Sequence, residues 1–342
     1  LIQVLIGSKG LDSLKTGITI IGSGSATSAQ LLSNEDLSEM VETSDEWIQT
    51  RTGMRQRHIC SPDESLADLA AQAGHRALEM AGLGANEIDL IILATSTPDD
   101  LFGSAGKVQA LLGASQAVAF DLTAACSGFV FGMVTAAQFL RTGVYQRILL
   151  IGGDLLSRWV DWSDRSTCVL FGDGAGAVVL QGQSDRDHLL GFEIYTDGNL
   201  NHSLNLGYQG QPRSLTEEKT ISQGNYQPIS MNGREVYRFA VARVPEVIEK
   251  VLFKAQLEIT AIDWLILHQA NQRIMDAVGD RLQLPSEKII SNLAQYGNTS
   301  AASIPIALDE AVRAGKIQTG DLIAASGFGA GLSWGAILFR WG

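Results

Sequence analysis

The sequence predicts an α/β fold made of two pseudo-symmetric halves, on three observations. Helical and buried-strand patterns alternate along the chain, 36 glycines stand against 7 prolines, and short segments recur in the same order. In the first half a helical pattern over residues 67–81 runs into Glu87-Ile88-Asp89-Leu90-Ile91-Ile92-Leu93. In the second, a helical pattern over residues 236–257 runs into Ala261-Ile262-Asp263-Trp264-Leu265-Ile266-Leu267. Both apolar runs read as buried strands entered from a helix. Residues 136–143 and 307–315 then end helices with Arg followed by Gly, a C-terminal stop. Strand-like residues 147–152 and 321–326 follow in turn. Such alternation predicts mainly parallel sheets with helices on both faces. The polar stretch near 182–190 places the boundary, giving halves 1–185 and 186–342.

The bulk composition narrows the function. A chain of 342 residues, 45% hydrophobic, can bury a large core. It contains no apolar run long enough to span a bilayer, and its first ten residues are too short and too weakly basic for a secretory signal. Three scattered cysteines, Cys60, Cys126 and Cys168, do not form a disulfide framework and suggest a reducing compartment. No Cys/His cluster has metal-ligand spacing. A net charge of −12 disfavours nucleic acid and anionic membranes, and leaves an acidic protein partner only a local basic patch to bind.

Counting back from the matched Arg-Gly helix ends puts Cys126 and Asn298 at equivalent positions, each at the start of a small-residue helix. Two helix N-termini are therefore expected to converge on one site. Cys126 lies on a strand-to-helix turn, where free amides and the helix dipole favour a thiolate. From that segment alone, a buried core cysteine is an equally good reading. His268 ends the strand Trp264-Leu265-Ile266-Leu267, at the carboxyl edge where α/β sheets bind ligands. A satisfied core histidine is the alternative. Asn298 is on local grounds a helix cap; its match to Cys126 argues for more. Gly172-Asp173-Gly174-Ala175-Gly176 reads as a tight turn between strands. Gly327-Phe328-Gly329-Ala330-Gly331 reads as a loop whose amides can help form an oxyanion hole.

These residues coincide with a family pattern. Thr43-Ser44-Asp45-Glu46-Trp47-Ile48 with Arg51-Thr52-Gly53, Ala124-Ala125-Cys126-Ser127-Gly128, Phe171-Gly172-Asp173-Gly174-Ala175-Gly176, His268-Gln269-Ala270-Asn271 and Gly297-Asn298-Thr299-Ser300-Ala301 occur in order. The chain resembles 3-oxoacyl-[acyl-carrier-protein] synthase III of the thiolase-like superfamily, from about Thr19 to its end. The resemblance implies a thiolase-like duplicated fold in a layered α-β-α-β-α sandwich. It implies that Cys126 is the acylated nucleophile with His268 and Asn298 as partners, and that the Cys126 and Ala330 amides form the oxyanion hole. Trp47 and Arg165 match residues that sandwich the adenine of coenzyme A, and Thr43, Arg51 and Asn271 match others along its tunnel. Phe102 matches a residue shaping the acyl pocket. Arg238 and Arg273 match basic groups offered to the carrier protein, with a merely solvated face as the alternative.

The resemblance further implies a homodimer that takes coenzyme A as a substrate thioester and needs no metal or nicotinamide. Bacterial cytoplasm is expected in preference to plastid stroma. Ser166 and Ala330 stand where the family usually has glycine, and residues 1–15 lie outside its pattern. The rival readings are another thiolase-like acyl enzyme, which would not couple decarboxylation to carbon–carbon bond formation, and a non-catalytic scaffold, in which Cys126 is never acylated.

Overall fold

Ten strands form two five-stranded sheets in the computed structural model, which describes residues 17–183 and 187–342. The expected boundary at residue 185, and the extension over residues 1–15, lie outside the described residues. The first sheet holds β1 (Gly17–Ala26), β2 (Leu90–Ala94), β3 (Val118–Leu122), β4 (Arg147–Leu155) and β5 (Asp173–Gln183). The second holds β6 (Leu189–Thr196), β7 (Trp264–Leu267), β8 (Ile289–Ile290), β9 (Leu322–Gly329) and β10 (Ser333–Arg340). Read from one edge, the strand orders are β3-β2-β4-β5-β1 and β8-β7-β9-β10-β6. The second is the first repeated, strand for strand. The duplication expected from short sequence matches is thus written in the topology.

Both sheets are mixed rather than mainly parallel. β2 pairs in parallel with β3 and β4, as β7 does with β8 and β9. The β4–β5, β5–β1, β9–β10 and β10–β6 pairs are antiparallel. The physical reason is clearest at β9–β10, whose three-residue connection Ala330–Leu332 leaves no room for the crossover that parallel strands require.

Helices fill three layers. α1 (Asp45–Thr52) lies beside the site described below, and α2 (Leu66–Ala81) covers the outer face of the first sheet. α3 (Gly128–Arg141) and α6 (Ser303–Arg313) lie between the sheets, and one apolar cluster joins Phe129 and Met133 with Ile304 and Leu308 and with residues of both sheets. α4 (Gly233–Ala255) and α5 (Gln272–Leu282) cover the second sheet. The result is an α-β-α-β-α sandwich. Ser65 opens α2 with a capping box to Asp68, and Gly82 closes it in the left-handed conformation. No described helix is long and apolar enough to cross a membrane.

The Gly172-to-Gly176 segment is not the expected turn. Asp173 to Gly176 belong to β5, where the glycines admit the central helix. A Cβ on Gly176 would sit 2.7 Å from the Ile306 nitrogen and 2.8 Å from Pro305. That approach seats α6 directly on the first sheet.

Candidate active site

The starts of α3 and α6 meet between the sheets. A Cβ added to Gly128 would stand 3.3 Å from the Ala301 Cβ, so the glycine is what lets the two turns touch. Each helix is preceded by one 3₁₀ turn, Ala125–Ser127 and Ser300–Ala302. Each turn opens on a non-glycine residue in the left-handed region, Ala125 at φ 47° and Ser300 at φ 51°. Such residues cost about 1–3 kcal/mol and persist only where their surroundings enforce them. Matching helix starts pairs Cys126 with Ala301 rather than with Asn298. Counting from the helix ends misplaced the equivalence because α3 has 14 residues and α6 has 11. The convergence of two helix starts holds; the strict equivalence does not.

Cys126, His268 and Asn298 nevertheless line one pocket of about 130 Å³, with Phe171, Leu204, Met231, Val236, Phe328 and Gly329 among its walls. A water occupies about 30 Å³ of liquid, so this is room for a small acyl group. All three polar side chains are buried. The Ser300 hydroxyl donates to the Cys126 Sγ at 3.3 Å. Burial pushes the Cys126 thiol up to about 12, the Ser300 hydrogen bond pulls against that shift, and the buried Asp154 carboxylate adds to it. The resting group is therefore a thiol. Desolvation outweighs the helix-start field that argued for a thiolate.

His268 sits at the end of β7, its backbone nitrogen held by the Ser326 carbonyl at 2.8 Å. Its Nδ1 lies 2.7 Å from the Ser303 Oγ, and the Phe328 ring packs edge-on at 5.4 Å. Burial lowers its pKa to about 3, so the imidazole is neutral. Asn298 is fixed by its backbone, which exchanges hydrogen bonds with Leu170 and Gly172 at 2.9 and 3.0 Å. Its Oδ1 accepts the Ser300 amide at 2.9 Å. That bond consumes the carbonyl end of the carboxamide and leaves the NH₂ end as the donor.

The Ala330 turn lies against the cysteine turn. The Ser127 and Ser333 hydroxyls are 2.8 Å apart, and the Ser333 Oγ reaches the carbonyls of Ala124 at 3.3 Å and Ala330 at 3.1 Å. A Cβ on Gly329 would stand 2.6 Å from the Cys126 nitrogen. Only a glycine leaves that amide approachable.

A second cluster lies beside the pocket. The Arg165 guanidinium stacks 4.8 Å from the Trp47 ring centroid, with Arg51 at 5.8 Å from it on the same helix. Asn271, which lines the pocket, donates to the Arg51 carbonyl at 3.1 Å. The buried Thr43 Oγ1 has no hydrogen-bond partner among the described residues. Arg238 and Arg273 are exposed on α4 and α5, next to pocket residues Tyr237 and Ile274. The Ser166 hydroxyl donates to Asp164 at 2.7 Å, and Asp164 caps the short helix that carries Arg165 by accepting the Ser166 amide.

Phe102 is not brought to this pocket. It is 99% exposed, because Asp121 anchors the following Ser104 and Ala105 amides and holds the loop tip outward. Residues the sequence did not single out include Ser303 and Asp154. Asp154 is fully buried and accepts hydrogen bonds from Thr95, Ser96, Thr97 and Ala301. The i, i+3 spacing of Ser300 and Ser303 was the available signal, masked by the small-residue run around it.

Comparison with known proteins agrees with this geometry. A beta-ketoacyl-[acyl-carrier-protein] synthase III of Synechocystis sp. is 70% identical over 97% of this chain and 100% of its own length. The chain belongs to the 3-oxoacyl-[acyl-carrier-protein] synthase III family. Residues 120–198 match the family's synthase III description and residues 252–341 its C-terminal description. The crystal structure of the synthase III from Aquifex aeolicus VF5 superimposes with a TM-score of 0.87 at 44% identity, covering 95% of this chain and 100% of that one. The priming beta-ketosynthase of the R1128 polyketide pathway has a TM-score of 0.87 at 34% identity, covering 96% and 97%. Membership in synthase III makes the chain a thiolase-like condensing enzyme of fatty-acid biosynthesis, an acyltransferase.

Proposed function

We propose that the chain joins a short acyl-coenzyme A, such as acetyl-coenzyme A, to malonyl-[acyl-carrier protein] with loss of carbon dioxide. The product is a 3-oxoacyl-[acyl-carrier protein], which starts type II fatty-acid synthesis. The observation that carries this reading is the common pocket of Cys126, His268 and Asn298. In the first half-reaction the Cys126 sulfur attacks the thioester carbonyl while the Cys126 and Ala330 amides hold the oxyanion. Coenzyme A leaves and an acyl-Cys126 remains. In the second, the malonyl group loses carbon dioxide, and His268 and Asn298 donate hydrogen bonds to the resulting enolate oxygen. The enolate carbon attacks the acyl carbon and releases Cys126.

Coenzyme A is read as lying along Trp47, Arg165, Thr43, Arg51 and Asn271. Its adenine would enter between the stacked Trp47 and Arg165, and the Thr43 hydroxyl, without a partner among the described residues, offers one further polar contact. The carrier protein is read as docking on Arg238 and Arg273, a local positive rim on an acidic chain. In our reading the halves 1–185 and 186–342 divide the chemistry, nucleophile from one and donors from the other. The chain is further read as a homodimer of the bacterial cytoplasm. β3, an edge strand among the described residues, with half-exposed Val118 and the neighbouring exposed Leu101 and Phe102, supports self-association. A second copy on that edge would give Phe102 an acyl pocket to shape.

A rate series with acetyl-, branched and longer acyl-coenzyme A, read as carbon dioxide and 3-oxoacyl-carrier protein together, tests the reaction. Equal amounts of the two products are expected, with the fastest rate for a short acyl group. Acyl transfer without carbon dioxide release would contradict it.

A further inference from the structure

The resting Cys126 is a thiol, so acyl transfer needs a proton acceptor, whereas the condensation needs donors. His268 is asked to serve both. An imidazole that enters each half-reaction neutral can do so only by changing which nitrogen carries its proton. The neighbour of Nδ1 decides how easily that happens. A backbone carbonyl there would lock the proton on Nδ1, and a backbone amide would lock it on Nε2.

The neighbour is a hydroxyl, which can both give and accept through one rotatable oxygen. The Ser303 Oγ lies 2.7 Å from Nδ1 and 2.8 Å from the Ser300 carbonyl. That carbonyl can only accept, so a Ser303 proton pointed at it makes the oxygen an acceptor for Nδ1–H. Nε2, at the far end of the ring, then faces the pocket as a lone pair. If the hydroxyl turns instead toward Nδ1, Nε2 carries the proton. The Ser300 carbonyl keeps a donor meanwhile, because the Ser303 backbone amide also binds it. The first arrangement satisfies one more hydrogen bond and is the resting one.

We infer that Ser303 is a positioning residue whose hydroxyl sets the tautomer of His268, holding Nε2 free as the base for acyl transfer and permitting the donor form for condensation. This rests on the proposed reaction. In acyl transfer the Cys126 proton passes to Nε2 as the carbon–sulfur bond to the enzyme forms. It passes on to the coenzyme A sulfur as the old thioester bond breaks, so no proton is gained or lost. Ser303 itself touches no reacting atom.

The test combines two half-reactions with a direct view of the ring. Replacing Ser303 by Ala removes the Nδ1–H acceptor, so the proton should move to Nε2. Single-turnover release of coenzyme A from acetyl-coenzyme A should then fall ~10²-fold. Carbon dioxide release from malonyl-carrier protein, on acyl-enzyme accumulated by long incubation, should change only a few-fold. Ser303→Thr, which keeps the hydroxyl, should restore the first half. Imidazole ¹⁵N resonances, assigned with a His268→Gln variant among 5 histidines, should show Nδ1–H in the parent and Nε2–H in Ser303→Ala. Equal slowing of both half-reactions, or a parent ring protonated on Nε2, would overturn the inference. A parent never acylated on Cys126 would overturn the reading of the reaction instead, while the nitrogen resonances would still decide the tautomer.

Discussion

At the scale of single residues, the site is a problem of burying polar groups without leaving them unsatisfied. His268 meets it by staying neutral, its pKa drawn down to about 3 by burial. The unfolded chain binds a proton there below about 6.5, and the folded chain does not until about 3. Between those values the unfolded state holds more protons, so this residue's stabilising contribution is lost as pH falls. Thermal melts from pH 7 to 4 should therefore decline less steeply for His268→Gln than for the parent. Parallel curves would show that the imidazole is not neutral in the fold. The side chains that share the pocket were legible in the sequence, because Cys126 and His268 each follow a strand and Asn298 stands ahead of a helix. Their protonation was not legible. It depends on desolvation and on Ser300, Ser303 and Asp154, which no local pattern ties to the cysteine.

At the scale of elements, glycines decide how closely backbones approach. Gly329 belongs to β9 and faces the cysteine turn, where a methyl group would meet the Cys126 nitrogen at 2.6 Å. Gly329→Ala should slow acylation by ~10²–10³-fold through a displaced oxyanion donor. It should also destabilise the fold by about 1–3 kcal/mol through overpacking. Acylation at the parent rate, measured by coenzyme A release, would remove the oxyanion role from this turn. The sequence located most core strands within a few residues, since apolar runs and Arg-Gly stops are local signals. It misread Gly174 and Gly176 as a turn, because strand glycines and turn glycines look alike until the packed helix is known. It also misregistered Cys126 against Asn298, since the difference in length between α3 and α6 is invisible when helix ends are matched first.

At the scale of the whole molecule, duplication brings Cys126, just ahead of α3, into one pocket with His268 at the end of β7 and Asn298 ahead of α6. The repeated strand order was foreshadowed by the paired segments before residues 93 and 267, but the antiparallel edges were not. Those depend on connections whose geometry the pattern does not encode. The exposed arginines add a surface property to the fold. Arg238→Glu with Arg273→Glu should raise the KM for malonyl-carrier protein about tenfold at low salt and leave acetyl-coenzyme A acylation unchanged. An equal effect on both substrates would place the damage in the pocket rather than at its rim. The shared pocket itself is tested most directly by peptide mass spectrometry after incubation with acetyl-coenzyme A, then with malonyl-carrier protein. We expect one acetyl group on the Cys126 peptide, discharged in the second step as 3-oxobutyryl-carrier protein. Acetyl found only on Cys60 or Cys168, or full turnover by Cys126→Ala, would contradict it.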